Sequence, residues 1–191
     1  ADIYHSNITK TFFRKGCNED LTFLQTDQIL LAQVLADRNG CFFHSNGVLF
    51  ENCGFLFLGH SGDGKSTIAK IMKKNGGKVL CDDRMIIRQF SKEIIMYGNW
   101  CYGKECEFSS DAIPLKAIFF ISKSNHNKII RVNDNKQNIF QLLSFIVKPF
   151  VTKDWWKNNL SLIEKLVTIV PCYNLMFDKS GKIVKNIRGL C

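Results

Sequence analysis

Apolar positions follow two rhythms along the chain, one helical and one nearly continuous. From Asp27 onward Ile29, Leu30, Val34 and Leu35 share one helical face, and Asn39-Gly40 offers a cheap left-handed stop. Cys41 to His44 and Gly47 to Phe50 then read as strand, turn and strand. Residues 53–58 are apolar almost without break, the pattern of a strand buried on both faces. Helical spacing returns from Ser66 to Asn75, with Ile68, Ala69, Ile71 and Met72 on one face and Lys70, Lys73 and Lys74 on the other; Gly76-Gly77 ends it. Strands are predicted at Lys78 to Cys81 and Met85 to Gln89. The second of these forms a hairpin with Glu93 to Tyr97 through Phe90-Ser91-Lys92. Leu115 to Ser122 and Lys128 to Val132 are further strands. Two helices follow, Asn135 to Val147 and Lys153 to Val170. Tyr173 to Phe177 and Lys182 to Ile187 are expected to close the chain as a hairpin around Asp178-Lys179-Ser180-Gly181. This mixed order predicts a strand-rich α/β (α+β) fold. No proline- or serine-rich linker interrupts it, so residues 1–191 are expected to form one domain.

Composition narrows the class without naming a function. The chain has 191 residues, 46% of them hydrophobic and 23% charged, ordinary values for a globular protein. Its longest apolar runs, Gly54 to Leu58 and Ala117 to Ile121, are far too short to span a bilayer, and no charged segment followed by an apolar one opens the chain. A cytoplasmic protein without membrane contact is the expectation. The formal charge of +9, from 26 Lys and Arg against 17 Asp and Glu, raises the local concentration of anions without choosing among them. Neither an RNP-type aromatic motif nor a zinc-finger spacing is present, which disfavours nucleic acid as partner. Of the eight cysteines, Cys53 opens an apolar run and Cys81 sits between Leu80 and Asp82, where small buried thiols are common. No Cys-x-x-Cys pair exists, and all eight are read as reduced thiols.

Chemistry enters at Gly59-His60-Ser61-Gly62-Asp63-Gly64-Lys65-Ser66, which fits G-x-x-x-x-G-K-[ST] at every fixed position. Glycines let the backbone curl its N–H groups inward around phosphate oxygens, and the helix behind the loop adds its positive end. Lys65 supplies a mobile charge for the β- and γ-phosphates, and Ser66 offers a hydroxyl to Mg²⁺. The nucleotide-binding set expected is Gly59, Ser61, Gly62, Asp63, Gly64, Lys65, Ser66 and Thr67. A buried strand before the loop and an amphipathic helix after it are the context this chemistry needs. A glycine-rich turn without ligand is the alternative.

Directly after a predicted short strand comes Cys81-Asp82-Asp83-Arg84. Neighbouring carboxylates at a strand end suit two tasks, holding Mg²⁺ and taking a proton from an attacking hydroxyl. A polar surface turn with Asp83 paired to Arg84 is the competing reading. His44 ends the apolar run Cys41-Phe42-Phe43; alone, such a histidine is more often a core residue than a catalyst. Trp100 and Tyr102, near Gly103, are candidates for an acceptor-contacting loop, with plain core packing as the alternative.

Together these residues resemble the catalytic domain of the HPr kinase/phosphorylase family. The resemblance rests on Gly59-x-Ser61-Gly62-x-Gly64-Lys65-Ser66, on Asp82-Asp83-Arg84, and on spacing: His44 lies 21 residues before Lys65, and Asp83 lies 18 after it. Weaker likenesses are Trp100-x-x-Gly103, Pro114 to Phe119 and Val170-Pro171-x-Tyr173-x-Leu175, so the similarity covers about residues 41 to 187. It implies the HPr kinase catalytic-domain fold, related to phosphoenolpyruvate carboxykinase, and a compact P-loop serine kinase. By the same resemblance Asp83 is the general base, Lys65 and His44 complete the catalytic set, and Ser66 and Asp82 hold the metal. ATP or another nucleoside triphosphate and Mg²⁺ are the implied cofactors. The implied acceptor is a hydroxyl on a peptide, protein or small molecule; lasso-peptide precursors and free serine are acceptors of compact relatives. Family members assemble into rings, which implies a homo-oligomer. The family's Arg-Gly-Leu-Gly signature is absent at its place, which turns the expectation away from HPr and from the reverse, phosphate-consuming reaction. A nucleotide-sensing module that binds without transferring phosphate is the second reading.

Overall fold

The protein is described here by a computed structural model covering residues 26–99, 109–148 and 152–191. Helix α1 (Thr26–Ala36) leads into two long strands, β1 (Gly40–Phe50) and β2 (Cys53–Leu58). Helix α2 (Lys65–Lys74) follows, then β3 (Lys78–Cys81), β4 (Arg84–Phe90), β5 (Glu93–Tyr97), β6 (Ala112–Lys123) and β7 (Lys128–Arg131). Helices α3 (Asn135–Phe145) and α4 (Lys153–Ile169), strand β8 (Cys172–Phe177) and helix α5 (Ile183–Arg188) complete the order. The architecture is mixed α/β, built on an eight-stranded sheet with helices on both faces.

The local causes are visible in the sequence. Asn39 takes the left-handed conformation (φ 52°) that turns the chain from α1 into β1. Asn75 and Gly76 end α2, with the Gly77 N–H donating to the Met72 carbonyl at 2.9 Å. Asp134 caps α3 by accepting from the Lys136 and Gln137 N–H groups, and Thr152 caps α4 by accepting from that of Trp155. Each such cap contributes on the order of 1 kcal/mol.

Two expectations are corrected. Cys41 to His44 and Gly47 to Phe50 are not separated by a turn: β1 is continuous from Gly40 to Phe50. Different partners serve its two ends. Residues 40–44 pair with β4, while 45–50 pair with β2 and 47–49 with β3, the latter across a register shift at Gly47/Val48. Ser45-Asn46, expected as the turn, runs on as strand, and along one edge β1 passes from β4 to β3 between His44 and Gly47. The second correction concerns Lys182 to Ile187, expected as a strand and found as α5. Both edges of β8 are taken, by β6 in parallel and β7 antiparallel, so no ladder remains for a hairpin. Ile183, Val184 and Ile187 instead share a helical face buried in the core.

The pairings β2–β1, β1–β4, β4–β5, β5–β6 and β6–β2 form a closed circuit. Closure occurs at Gly54, opposite Leu115, where a Cβ would stand 2.5 Å from the Pro114 carbonyl oxygen. One sheet face buries Leu142, Trp155, Leu162, Ile163 and Leu166 from α3 and α4. The other buries Ile68, Met72, Ile183 and Ile187 from α2 and α5 against Phe55, Phe57 and Phe119. The Phe57 and Phe119 rings stack at 5.2 Å, a contact worth about 1 kcal/mol beyond burial. Parallel strands β2, β6 and β8 all deliver their carboxyl ends to the side where the phosphate loop emerges.

Candidate nucleotide site

Buried β2 stops at Leu58, and the chain turns back into α2 through Gly59 to Gly64. Gly62 (φ 94°) and Gly64 (φ 106°) lie in the left-handed region, which favours glycine. At Gly64 a Cβ would also meet the Phe177 ring at 2.9 Å, whereas Gly62 opens onto free space. No side chain caps the amino end of α2, so its first N–H groups face the loop uncapped. Free helix-end donors inside a curl of backbone are the makings of an anion site.

Lys65 folds back over the loop. Its Nζ donates to the Gly59 carbonyl at 2.6 Å and to that of His60 at 3.3 Å. Burial lowers its pKa from the usual lysine value, opposed by the charges of Asp83 and Asp63. Asp63 closes the loop internally, its Oδ2 accepting from the His60 N–H at 2.6 Å. The His60 ring packs on Phe145 of α3, centroids 4.9 Å apart. Ser61 and Ser66 are exposed, and Thr67 is half-buried.

The acidic element reaches the same place by strand pairing. His44 lies opposite Arg84 in the β1–β4 ladder, and the Ser45 N–H donates to the Asp83 carbonyl at 2.8 Å. Asp83 Oδ1 is 3.3 Å from His44 Nδ1, and its Oδ2 is 3.3 Å from Arg84 Nε. Burial alone would raise the Asp83 pKa. The hydrogen bond from His44 and the positive charges of Arg84, His44 and Lys65 outweigh it and hold the carboxyl below its ordinary value. The polar-turn alternative is thus half right: the Asp83–Arg84 pair exists, but its side chains are only 26% and 21% exposed, and Lys65 and His44 share it. Asp82, beside it, is 5% exposed.

His44, Lys65 and Asp83 are therefore brought together, from β1, the start of α2 and the bend before β4. Trp100, Tyr102 and Gly103 lie outside the described residues. Two neighbours were missed in the sequence. Asn99 donates through Nδ2 to the Arg84 carbonyl, fixing the residue that flanks Asp83. Asn46, on the same β1 face as His44, is fully buried with neither amide atom hydrogen-bonded. Leaving such groups unmet costs about 1–3 kcal/mol, and this one lies two residues from His44, midway along β1. Its signal was a polar residue inside the run from Cys41 to Phe50. Among the described residues no group of three His, Cys, Asp or Glu forms a protein-only metal cage, and no helix is long and apolar enough to cross a membrane. Cys41, Cys53, Cys81, Cys172 and Cys191 are free thiols, with burial pushing Cys81 up to about 11 and Cys172 up to about 12.

An HPr kinase/phosphorylase of Chlorobium phaeobacteroides is 29% identical over 107 residues, which make up 54% of this chain and 32% of that protein. The chain is similar to an HPr kinase/phosphorylase. It spans about a third of the length of that curated relative. Among solved structures, the HPr(Ser) kinase/phosphatase from Coxiella burnetii aligns with 77% of this chain and 95% of its own, at 11% identity and a TM-score of 0.45. No protein-family model matches the chain.

Proposed function

We propose that this chain is a Mg²⁺- and nucleoside-triphosphate-dependent kinase that phosphorylates a serine-type hydroxyl on a peptide, protein or small molecule. The observation that carries the reading is the convergence of Asp83 and His44 on the lysine of the phosphate loop. A loop for holding phosphate and a carboxylate for taking a proton are the two parts phosphoryl transfer asks of a protein.

The uncapped N–H groups of α2 and the left-handed glycines hold phosphate oxygens. Lys65 leaves the Gly59 and His60 carbonyls to offset charge on the transferred group. Asp83, kept ionised, accepts the proton of the attacking hydroxyl, while His44 and Arg84 fix the orientation of its two oxygens. The metal donors expected, the exposed Ser66 hydroxyl and the Asp82 carboxylate, are hard oxygen ligands of the kind Mg²⁺ takes when phosphates and water fill most of its shell. Bound there, the ion would neutralise charge on the triphosphate. The chain's identity to part of an HPr kinase/phosphorylase supports the same reading.

Thermal melting with millimolar Mg-ATP tests it. Saturation at a hundred times the dissociation constant adds about 2.7 kcal/mol, a shift expected for the native chain and absent in Lys65→Ala. Asp83→Asn is expected to keep that shift and to lose transfer by about 10²–10⁴-fold, the usual contribution of a general base. A variant that retains full transfer would assign the base to another residue.

A further inference from the structure

Among the described residues, Asn46 is the one fully buried side chain with neither of its polar atoms hydrogen-bonded. Its surroundings say which way it faces. Phe57, its partner on β2, and Val48, two residues along β1, are both buried with Ile68 and Met72 of α2. Alternation along the strand therefore puts Val48, Asn46 and His44 on the α2 side of the sheet. There Val48 belongs to the apolar core, and His44 to the charged group around Asp83 and Lys65. Asn46 stands between them, at the border of the candidate site.

The other edge of β1 supplies its neighbour. His44 lies opposite Arg84 on β4, and Gly47 lies opposite Cys81 on β3. Two residues separate these pairs on each side, so Asn46 comes opposite Asp82 and Ser45 opposite Asp83. The hydrogen bond from the Ser45 N–H to the Asp83 carbonyl agrees with that register. Residues opposed across an antiparallel ladder have Cβ atoms about 4.5–5.5 Å apart. A fully buried carboxamide is thus set beside a carboxylate that is itself nearly buried.

We propose that Asn46 is a positioning residue for the metal side of the site, orienting the Asp82 carboxylate through Nδ2 and accepting through Oδ1 from the water shell of the cation. The inference rests on the reading of the loop and of Asp82 given above. A carboxylate only accepts hydrogen bonds, and a water turned toward a cation chiefly donates them. The amide, donor at one end and acceptor at the other, complements both at once. An apolar side chain of similar size would pack against Phe57 and Val48 without leaving polar atoms unmet, so packing gives no reason for an amide here. Groups that hold a metal's ligands in place typically contribute about 10–100-fold to metal affinity.

The test is the gain in ATP affinity that Mg²⁺ confers, measured by calorimetry on the whole chain with Mg²⁺ or with EDTA. For the native chain a gain of about tenfold or more is expected. Threonine and valine are close in size and differ by a hydroxyl for a methyl, so Asn46→Thr and Asn46→Val separate polarity from packing. Asn46→Val is expected to lose most of the gain and to keep its affinity in EDTA within about twofold of native. Asn46→Thr, whose hydroxyl both donates and accepts, is expected to retain the gain within about threefold. Asp82→Asn is expected to lose the gain as well, and adding Asn46→Val to it to cost nothing further, since the two act as a unit. Should the valine variant not fold, Asn46→Ala against Asn46→Ser makes the same comparison. Equal gains in the polar and apolar variants overturn the assignment and leave Asn46 a packing residue, with the loop and Asp83 untouched. A native chain that binds ATP equally well with and without Mg²⁺ overturns the metal role of Asp82 and Asn46 together. Binding under neither condition overturns the loop reading itself, and this inference with it.

Discussion

Asp83 illustrates how residue-level forces set a protonation state. Burial would favour the neutral acid, yet a histidine hydrogen bond and three positive neighbours pull the pKa below the ordinary 3.8. A carboxyl depressed in this way stabilises the fold above its unfolded pKa, and that stabilisation is lost as pH falls through the folded value. The stability gap between the native chain and Asp83→Asn, followed by urea denaturation from pH 7 to pH 3, is therefore expected to be widest near neutrality and to close below about pH 4. A gap that widens in acid would mean that burial wins after all. Asp63 poses the opposite problem: its carboxylate occupies the His60 N–H and adds negative charge beside Lys65, where phosphate oxygens need both. Asp63→Ala is expected to tighten tripolyphosphate binding several-fold by calorimetry. Weaker binding would show that Asp63 acts by ordering the loop.

At the scale of elements, packing decides what pattern leaves open. Residues 53–58 and the helix after the loop were legible because an unbroken apolar run and a one-sided helical face each have a single good burial mode. Continuous β1 was not legible, since the polar pair Ser45-Asn46 reads as a turn unless β3 and β4 are known to share one edge. Nor was α5, because whether 182–187 pairs or coils depends on β7 having already taken β8. Gly54 has a similar non-local reason. Its hydrogen lets β2 close on β6, and the nearest obstacle to a methyl is backbone, which cannot swing aside. Gly54→Ala is expected to cost about 1–3 kcal/mol, read as a lowered urea midpoint with unchanged slope. An unaltered midpoint would show that the β2–β6 contact gives way easily.

Across the whole molecule, the candidate site divides by sequence distance. Residues 44 to 84 carry the loop, the acids and the histidine in one stretch, so the loop motif, and the family resemblance that rests on it and on the spacing, pointed to them. Lys123 matches no motif; it comes beside Gly64 only because β6 lies next to β2. The closed circuit of β2, β1, β4, β5 and β6 has a further consequence, for solubility. Each of these strands is paired on both sides along at least part of its length, leaving little continuous backbone there to template another chain. Among the described residues, β7 and β3 each have one strand partner. Both are four residues long, and the exposed cations Lys128 and Arg131 on β7 make edge-to-edge aggregation through that strand electrostatically unfavourable.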